Sequence, residues 1–192
     1  MKLVIVDLGF GNIGSVSLAF ERFGLEPVVS AVAEEIAGAD RVILPGVGSA
    51  GFAMERIESL GLRGTLVELR QPALGICLGM QLLFEASDEN DADCLGIISG
   101  RVRAIEPAPG CPVPHMGWSK VQVTSGELGV ADGDYLYFAH SFACDDGPAT
   151  VARTSYGRHI PAVVRHGNWL GAQFHPERSG PAGARFLEAF LT

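Results

Sequence analysis

Residues 75–81 read Gly75-Ile76-Cys77-Leu78-Gly79-Met80-Gln81 and place one cysteine between two glycines. An apolar run at 73–76 leads into the cysteine, and a helix-like run at 80–86 follows it. Glycines two residues before and after a nucleophile let a strand turn sharply into a helix, because little side-chain bulk fits there. The segment therefore predicts a strand–turn–helix connection with the thiol at its tip.

This connection has two interpretations. In the first, Cys77 is a nucleophile, since a thiol at a helix N-terminus faces free N–H groups and the positive end of the helix dipole, which favour thiolate. In the second, Cys77 is a buried structural residue, because free cysteine commonly packs in protein interiors. These seven residues leave both interpretations open, and the rest of the chain has to decide.

The chain upstream of Cys77 alternates short apolar, β-branched runs with helical patterns. Strands are predicted at 3–7, 27–30, 41–44 and 73–76, and helices at 15–23, 33–37, 52–60 and 62–69. Strands that are apolar throughout and separated by helices are typical of a parallel sheet covered on both faces. We therefore expect an α/β fold with an open, mostly parallel central sheet and helices on both of its faces.

The C-terminal half has a different texture. Residues 97–105 are interpreted as a strand pair or a bent strand, and further strand candidates are 135–139, 150–153, 162–165 and 169–174. Their close spacing predicts antiparallel additions to the sheet. A final helix is predicted at 182–191, with Ser179 as its N-cap and Pro181 near its first turn. With no repeat or linker in 192 residues, we expect a single domain over 1–192.

Composition excludes several classes of function. The net charge of −8 disfavours a nucleic-acid or anionic-membrane surface, and no apolar run approaches the ~18 residues of a membrane span. The four cysteines, at 77, 94, 111 and 144, lack the paired spacing of zinc sites or disulfide frameworks. Residues 1–7 indicate a buried strand rather than a signal peptide. We therefore expect a cytoplasmic protein with reduced thiols.

His175 and Glu177 are the candidates for activating the thiol. A cysteine nucleophile needs a base beside it, and the base needs an orienting group. The segment Gln173-Phe174-His175-Pro176-Glu177 follows a predicted strand and supplies an imidazole and a carboxylate from one short turn. The alternative is an ordinary hydrogen-bonded surface histidine. Of the five histidines, only His175 has an acid so placed, so it is the preferred base.

Two glycine-rich turns offer backbone N–H groups. Residues 45–48 are either a simple tight turn or a loop whose amides complete an oxyanion hole with the amide of Leu78. A phosphate loop is disfavoured, because no lysine follows in the required spacing. Residues 9–14 match G-x-G-x-x-G after a strand, but the acids that follow are awkwardly placed for a ribose, which disfavours dinucleotide binding.

Three of these segments come directly after predicted strands: 45–48, the turn at Cys77 and 173–177. In an open parallel sheet, functional groups collect beyond the carboxyl ends of the strands. We therefore expect the three segments to meet at one edge of the sheet.

Together, these segments resemble the class I (triad-type) glutamine amidotransferases. The cysteine turn at 75–81, the glycine turn at 45–48 and Phe174-His175-Pro176-Glu177 are highly specific in this order. Within that family the chain is most similar to the glutaminase subunits of imidazole glycerol phosphate synthases. That closer resemblance is carried by 7–14, 114–118, 137–142 and 173–180, and it extends from Asp7 to the last helix.

The resemblance implies a role for each matched position. Cys77 would attack the side-chain amide of glutamine, His175 would pass the proton to the departing ammonia, and Glu177 would orient the imidazole. The other implied groups are an oxyanion hole of Leu78 with an amide near Val47 and Gly48, and glutamine-binding groups at Gln81, Glu89, Ser141 and Phe142. Water would hydrolyse the resulting thioester to glutamate, with neither cofactor nor metal.

The released ammonia implies a partner. Ammonia in water is mostly protonated and no longer nucleophilic, so it has to pass through an enclosed path. The family's partner is a (β/α)₈-barrel cyclase subunit, which adds the nitrogen to a phosphoribulosyl substrate. Asn12, Trp118 and Arg178 lie on segments that the resemblance places at this interface. Without a partner they would be a turn residue, a core aromatic and a solvated charge.

Some positions depart from the family pattern, namely Leu8, Asn90, Ser119, Phe142 and Arg178. They leave the triad intact and bear on the coupling to the partner. Two alternatives remain. One is the glutaminase of the pyridoxal phosphate pathway, or a free-standing cysteine hydrolase of similar fold. The other is a non-catalytic regulatory subunit, in which Cys77 would be inert.

Overall fold

The computed structural model describes residues 1–126 and 128–192. Its strands are β1 (Leu3–Val6), β2 (Val28–Ser30), β3 (Arg41–Gly46), β4 (Ala73–Cys77), β5 (Phe84–Ser87), β6 (Ala92–Asp93), β7 (Ile98–Ala104), β8 (His115–Val123), β9 (Tyr135–His140), β10 (Phe142–Cys144), β11 (Thr150–Tyr156), β12 (Arg158–His166) and β13 (Trp169–Ala172). Its helices are α1 (Ile13–Glu21), α2 (Ala33–Ala37), α3 (Ala50–Ser59), α4 (Arg63–Glu68), α5 (Leu78–Gln81) and α6 (Gly180–Leu191). Short 3₁₀ turns lie at Glu89–Asp91 and Pro176–Arg178.

A nine-stranded sheet with the order β2-β1-β3-β4-β13-β12-β11-β8-β9 organises the molecule. Neighbouring strands pair in parallel among β2, β1, β3, β4 and β13. The other four strands, β12, β11, β8 and β9, are added antiparallel. The prediction of a parallel sheet with antiparallel additions from the C-terminal half is therefore confirmed. A second sheet, with the order β10-β7-β5-β6, was not predicted.

Helices cover both faces of the large sheet, as the apolar strands predict. Alternate residues of β1 belong to two separate cores: Val4 and Val6 face one, and Leu3 and Ile5 face the other. The first core also contains buried side chains of α2, α3, α4 and the second sheet, and the second core those of α1 and α6. A strand buried on both faces needs this continuous apolar sequence.

The predicted helix at 80–86 is wrong. The turn after Cys77 continues into only one helical turn, α5, and the chain then enters strand β5, which pairs with β7. Phe84 begins this strand and is 2% exposed in the first core. A short apolar run fits a helix or a strand equally well, and pairing with β7 decides for the strand.

Two further differences concern strands. The segment at 97–105 is one strand, β7, lying between β5 and β10 in the second sheet. Strand β8 was not predicted, because it follows a proline-rich stretch and its large apolar residues Met116 and Trp118 lie on its exposed face, so its sequence lacks a clear apolar–polar alternation. Within the described residues, no helix is long and apolar enough to cross a membrane, and no group of three or more His, Cys, Asp or Glu side chains is arranged to hold a metal.

The N-terminus of α6 lies directly after the predicted cap, Ser179, but the hydroxyl of Ser179 does not cap the helix. It donates to the carbonyl oxygen of His175 at 2.7 Å and accepts from the backbone N–H of Tyr137 at 3.0 Å. The side chain therefore joins β9 to the turn that carries His175.

Candidate active site

Cys77 is the last residue of β4 and has a strained backbone. Its φ of 54° and ψ of −109° lie in a region that residues with a side chain rarely adopt. Such strain persists only where the surrounding structure enforces it, and it is concentrated at functional sites. The turn matches the elbow that exposes a nucleophile between a strand and a helix.

Three glycines make this backbone conformation possible, because they let neighbouring chain segments approach each other closely. A Cβ atom on Gly79 would lie 1.8 Å from the carbonyl oxygen of Leu44, and one on Gly75 would lie 2.5 Å from the carbonyl oxygen of Gly79. A Cβ on Gly46 would approach the Gly79 nitrogen to 2.8 Å. The backbone of β3 therefore packs directly against the cysteine turn, and only glycine fits at these positions.

The sheet brings His175 beside Cys77. Strand β13 is the parallel neighbour of β4, with Ala172 opposite Ile76, so both chains leave the sheet at the same edge. His175 lies three residues beyond β13, and His175 and Cys77 line one cavity. Nδ1 of His175 lies 2.9 Å from Oε1 of Glu177, which leaves Nε2 for the sulfur. The predicted Cys–His–Glu arrangement is thus assembled in space.

The charge state of His175 follows from these two partners. Burial lowers the pKa of His175, but hydrogen bonds and charge interactions with Cys77 and Glu177 outweigh this and raise the pKa to about 10. The imidazole therefore carries a proton at neutral pH, next to the sulfur. An imidazolium beside a cysteine favours the thiolate form, which is the nucleophile.

Glu177 lies behind the histidine, away from solvent. Its side chain is 1% exposed, and its Oε2 is buried without a hydrogen-bond partner. The backbone of the turn is fixed separately, since the N–H of His175 donates to the carbonyl oxygen of Tyr137 at 2.8 Å. The carboxylate is therefore committed to one contact, that with the imidazole.

A cavity of about 400 Å³ opens in front of Cys77 and His175. It is lined by most of the residues that the sequence predicts for the site, namely Asn12, Val47, Gly48, Cys77, Leu78, Gln81, Glu89, Ser141, Phe142, His175 and Arg178. Glu177 lies behind the wall, and Trp118 faces a neighbouring surface groove. The residues that line the cavity therefore lie together at one edge of the sheet.

The glycine turn after β3 forms part of this wall. Val47 and Gly48 line the cavity together with Leu78, the first residue of α5. Gly48 has a φ of 85°, which favours glycine, so the turn conformation accounts for the residue type. Because α5 is a single turn, the helix dipole adds less than the sequence suggested, and the free N–H groups are the donors available here.

Gln81 and Glu89 are held from different sides of the cavity. The Nε2 of Gln81 donates to the carbonyl oxygen of Phe142 at 2.9 Å and to Oε1 of Gln173 at 3.0 Å. Both of its hydrogens are used, so Oε1 of Gln81 is left for a ligand. The Oε2 of Glu89 accepts from the N–H of Ala50, the first residue of α3, at 2.8 Å.

Gln173 is a site residue that the sequence analysis did not single out. It is completely buried, and its Nε2 lies 3.9 Å from Sγ of Cys77, while its Oε1 holds Gln81. A polar residue ending an apolar strand just before His175 was the available signal, because a buried amide needs hydrogen-bond partners.

The proposed interface residues lie at or near the cavity mouth. Asn12 and Arg178 are exposed, and Trp118 is 53% exposed, which excludes the interpretation of Trp118 as a core aromatic. The ring of Trp118 meets that of Tyr137 edge-on at 6.0 Å, and the guanidinium of Arg178 lies over Tyr137 at 4.9 Å. Trp118 and Arg178 thus flank one aromatic ring.

The departure at Asn90 has a local explanation. Its φ of 62° lies in the left-handed region, which asparagine tolerates better than most residues with a side chain. Leu8, another departure, is buried in the first core.

Comparison with known proteins assigns the family. The model of the glutamine amidotransferase class-I family matches residues 4–192. The chain belongs to the class-I glutamine amidotransferase family. Other amidotransferase structures share its fold: the crystal structure of a glutamine amidotransferase superposes with a TM-score of 0.79 at 20% identity, covering 100% of this chain and 97% of that one. PurLQS from Thermotoga maritima superposes with a TM-score of 0.74 at 20% identity, covering 99% and 97%.

Sequence relatives of this amidotransferase are much more similar. The protein named imidazole glycerol phosphate synthase subunit HisH from Xylella fastidiosa (strain Temecula1) is 47% identical, covering 99% of this chain and 96% of its own. Proteins of the same name from Idiomarina loihiensis and Xanthomonas campestris pv. campestris are 47% and 48% identical. They cover 100% and 98% of this chain and 97% and 96% of their own.

Proposed function

We propose that this chain is the glutaminase subunit of imidazole glycerol phosphate synthase, a single amidotransferase domain over 1–192 that acts in histidine biosynthesis in the cytoplasm. The observation that carries the proposal is the placement of Cys77, His175 and Glu177 beyond two adjacent parallel strands, with one cavity in front of the first two. Relatives of that name match nearly the whole chain, which supports histidine biosynthesis over the pyridoxal phosphate pathway.

The proposed reaction begins with attack of the Cys77 sulfur on the side-chain amide carbon of glutamine. The negative charge that develops on the amide oxygen would be met by backbone N–H groups at Leu78 and near Val47 and Gly48. His175, protonated beside the sulfur, gives its proton to the departing nitrogen, and ammonia leaves. Water then attacks the thioester with His175 as base, which releases glutamate and restores the thiol.

Glutamine is held by its charged end in this proposal. Glu89 and the free Oε1 of Gln81 suit the α-ammonium group, since both accept hydrogen bonds. Backbone groups of Ser141 and Phe142, which also line the cavity, suit the α-carboxylate. Among the described residues, the Glu177 carboxylate forms its hydrogen bond with His175, which keeps the ring in the reactive tautomer and orientation.

The partner is a cyclase subunit, which we propose to be a (β/α)₈-barrel that receives the ammonia. Asn12 and Arg178 at the cavity mouth, and Trp118 beside them, are the proposed contacts, and all three are solvent-accessible in this chain. No cofactor, metal or nucleic acid takes part in the proposed chemistry.

The test measures glutamine hydrolysis by the chain alone, with the cyclase subunit, and with the cyclase subunit plus its phosphoribulosyl nucleotide. We expect low turnover alone and a large increase in the full complex. Unchanged turnover on mixing would overturn the coupling. Capture of the synthase of the pyridoxal phosphate pathway instead would redirect the proposal to that pathway. A glutamine-analogue electrophile that leaves Cys77 unmodified in the complex would indicate a non-catalytic subunit.

A further inference from the structure

Two buried histidines outside the triad form a hydrogen-bonded chain that reaches the glutamine cavity at His140. His115 on β8 and His140 on β9 lie directly opposite each other in the antiparallel ladder and are 1% and 6% exposed. Nδ1 of His115 is 2.9 Å from Nε2 of His140. Nε2 of His115 is 2.7 Å from the hydroxyl of Ser119, and Nδ1 of His140 is 2.7 Å from the carbonyl oxygen of Phe142.

The direction of every hydrogen bond in this chain follows from its last member. A carbonyl oxygen only accepts, so Nδ1 of His140 carries the hydrogen and Nε2 of His140 accepts. Nδ1 of His115 therefore donates, its Nε2 accepts, and the Ser119 hydroxyl donates. One arrangement of protons satisfies all three contacts, with both rings neutral.

The surroundings keep these rings neutral and fixed. His115 stacks against Tyr156 at 3.8 Å and Phe138 at 4.7 Å. Burial lowers the pKa of His115 to about 4 and is the main reason why the pKa of His140 falls to about 3. A neutral imidazole with one N–H and one acceptor nitrogen is the form that this chain requires.

The chain ends on a group of the glutamine site. The carbonyl oxygen of Phe142 accepts from His140 and also from Nε2 of Gln81. Since the second hydrogen of that nitrogen is bound by Gln173, the Gln81 amide has a single orientation with Oε1 free. Loss of the His140 contact would leave the Phe142 carbonyl held only by Gln81 and by the pairing of β10 with β7, so its direction toward Gln81 would be less firmly fixed.

We propose that Ser119, His115 and His140 are positioning residues that hold the Phe142 carbonyl, and through it Gln81, in the geometry that binds glutamine. The inference rests on the proposed glutaminase function and specifies how its substrate site is built. Ser119 and His115 do not line the cavity, and His140, which does, has both ring nitrogens engaged by His115 and the Phe142 carbonyl. The chain therefore acts on binding of glutamine rather than on attack by Cys77.

The experiment compares His140→Phe, His140→Asn and the matched control His166→Phe at the exposed end of β12, each in complex with the cyclase subunit. His140→Phe keeps a ring but removes both hydrogen bonds, and we expect the KM for glutamine to rise about tenfold with kcat within about twofold. His140→Asn places an amide N–H near the position of Nδ1, and we expect it to recover most of the loss. The control is expected to keep the wild-type KM.

Ser119→Ala tests the other end without altering a ring. It leaves Nε2 of His115 without its donor, and we expect the KM to rise about threefold. If His140→Phe does not fold, Ser119→Ala decides the question by the same split between KM and kcat. An unchanged KM in Ser119→Ala and, where it folds, in His140→Phe, or an equal fall of kcat in both, overturns the positioning role.

The two proposals fail in different ways. A wild-type complex without glutaminase activity overturns the proposed function. If the wild-type complex is active but the KM for glutamine does not change in Ser119→Ala and His140→Phe, only the positioning role is overturned. Nitrogen NMR of imidazole-labelled protein gives a further readout, since hydrogens on Nδ1 of both His115 and His140 are expected, and hydrogens on Nε2 would contradict the chain.

Discussion

Two histidines line the same cavity and have opposite charge states. Burial lowers the pKa of both, but His175 also has Cys77 and Glu177 as partners, and its pKa rises to about 10. His140 is bound to neutral groups, the Phe142 carbonyl and His115, and its pKa falls to about 3. Burial alone makes a neutral ring suited to fixing geometry, and an acidic partner makes a charged ring suited to moving a proton.

Of the changes that test this comparison, removal of the Cys77 sulfur should have the largest effect on glutamine hydrolysis. We expect Cys77→Ala to lower glutamine hydrolysis about 10⁴-fold or more while the fold and cyclase binding remain, because no other group described here can form the thioester. The measurement is glutaminase turnover in the complex, with ammonium-fed synthase activity as the control. That activity belongs to the partner and should persist.

Labelling identifies the reactive thiol independently. Burial raises the pKa of Cys94 to about 11 and that of Cys144 well above its usual value, so both stay protonated and inert. A glutamine-analogue electrophile should modify wild-type protein at Cys77, as read by mass spectrometry. Modification that persists in Cys77→Ala would assign the nucleophile elsewhere.

Glu177→Gln should remove the acidic partner of His175, so that this histidine, like His140, is no longer paired with a carboxylate. Without the carboxylate the pKa of His175 falls, and we expect kcat to fall about 100-fold, less than for His175→Ala, because an orienting group contributes less than the base. The pH profile of turnover reports the change. Glu188→Gln, at an exposed position of α6, is the matched control and should leave kcat unchanged. A larger loss for Glu177→Gln than for His175→Ala would reverse the assigned roles.

The two histidine sites should also give the stability curve opposite slopes. Between about pH 6.5 and 10, folded His175 keeps a proton that the unfolded chain loses, so the contribution of His175 to the free energy of unfolding falls with rising pH, by up to ~1.4 kcal/mol per unit. Between about pH 4 and 6.5, unfolded His115 and His140 bind protons that the folded forms exclude, so stability is lost as pH falls.

Urea unfolding of the isolated chain across this pH range measures both slopes. His175→Gln should flatten the alkaline slope only, and His140→Asn should flatten part of the acid slope only. Equal changes on both sides in either variant would show that the two sites do not titrate in opposite directions.

The sequence predicted the parallel half of the fold well for a physical reason. Strands such as β3 and β4 are buried on both faces, so their apolar runs are unbroken and are bounded by glycine and proline. The second sheet was missed because β5 is short and begins in an apolar run that also fits a helix. Its identity depends on pairing with β7, which no local pattern encodes.

The candidate site was likewise predicted only in part. Cys77, His175 and Glu177 lie in motifs with characteristic glycine and proline neighbours, so their association could be predicted from the chain order. The contact between His115 and His140 joins residues 25 apart on two strands, one of which was not predicted. Gln173 was within a motif, but its contacts with Gln81 and Cys77 depend on strand register.

The pairing of β4 with β13 has a consequence for inactivation by heat. The nucleophile and its base leave neighbouring central strands whose backbone ladder runs from Ala73 and Trp169 to Ile76 and Ala172. Central strands of a sheet open only with the whole molecule, whereas surface loops open at lower cost. Sulfur and imidazole should therefore stay together up to the melting transition. The substrate-binding walls include the turns at 47–48 and 141, which should loosen first. Warming is therefore expected to weaken glutamine affinity before it removes reactivity of the thiol.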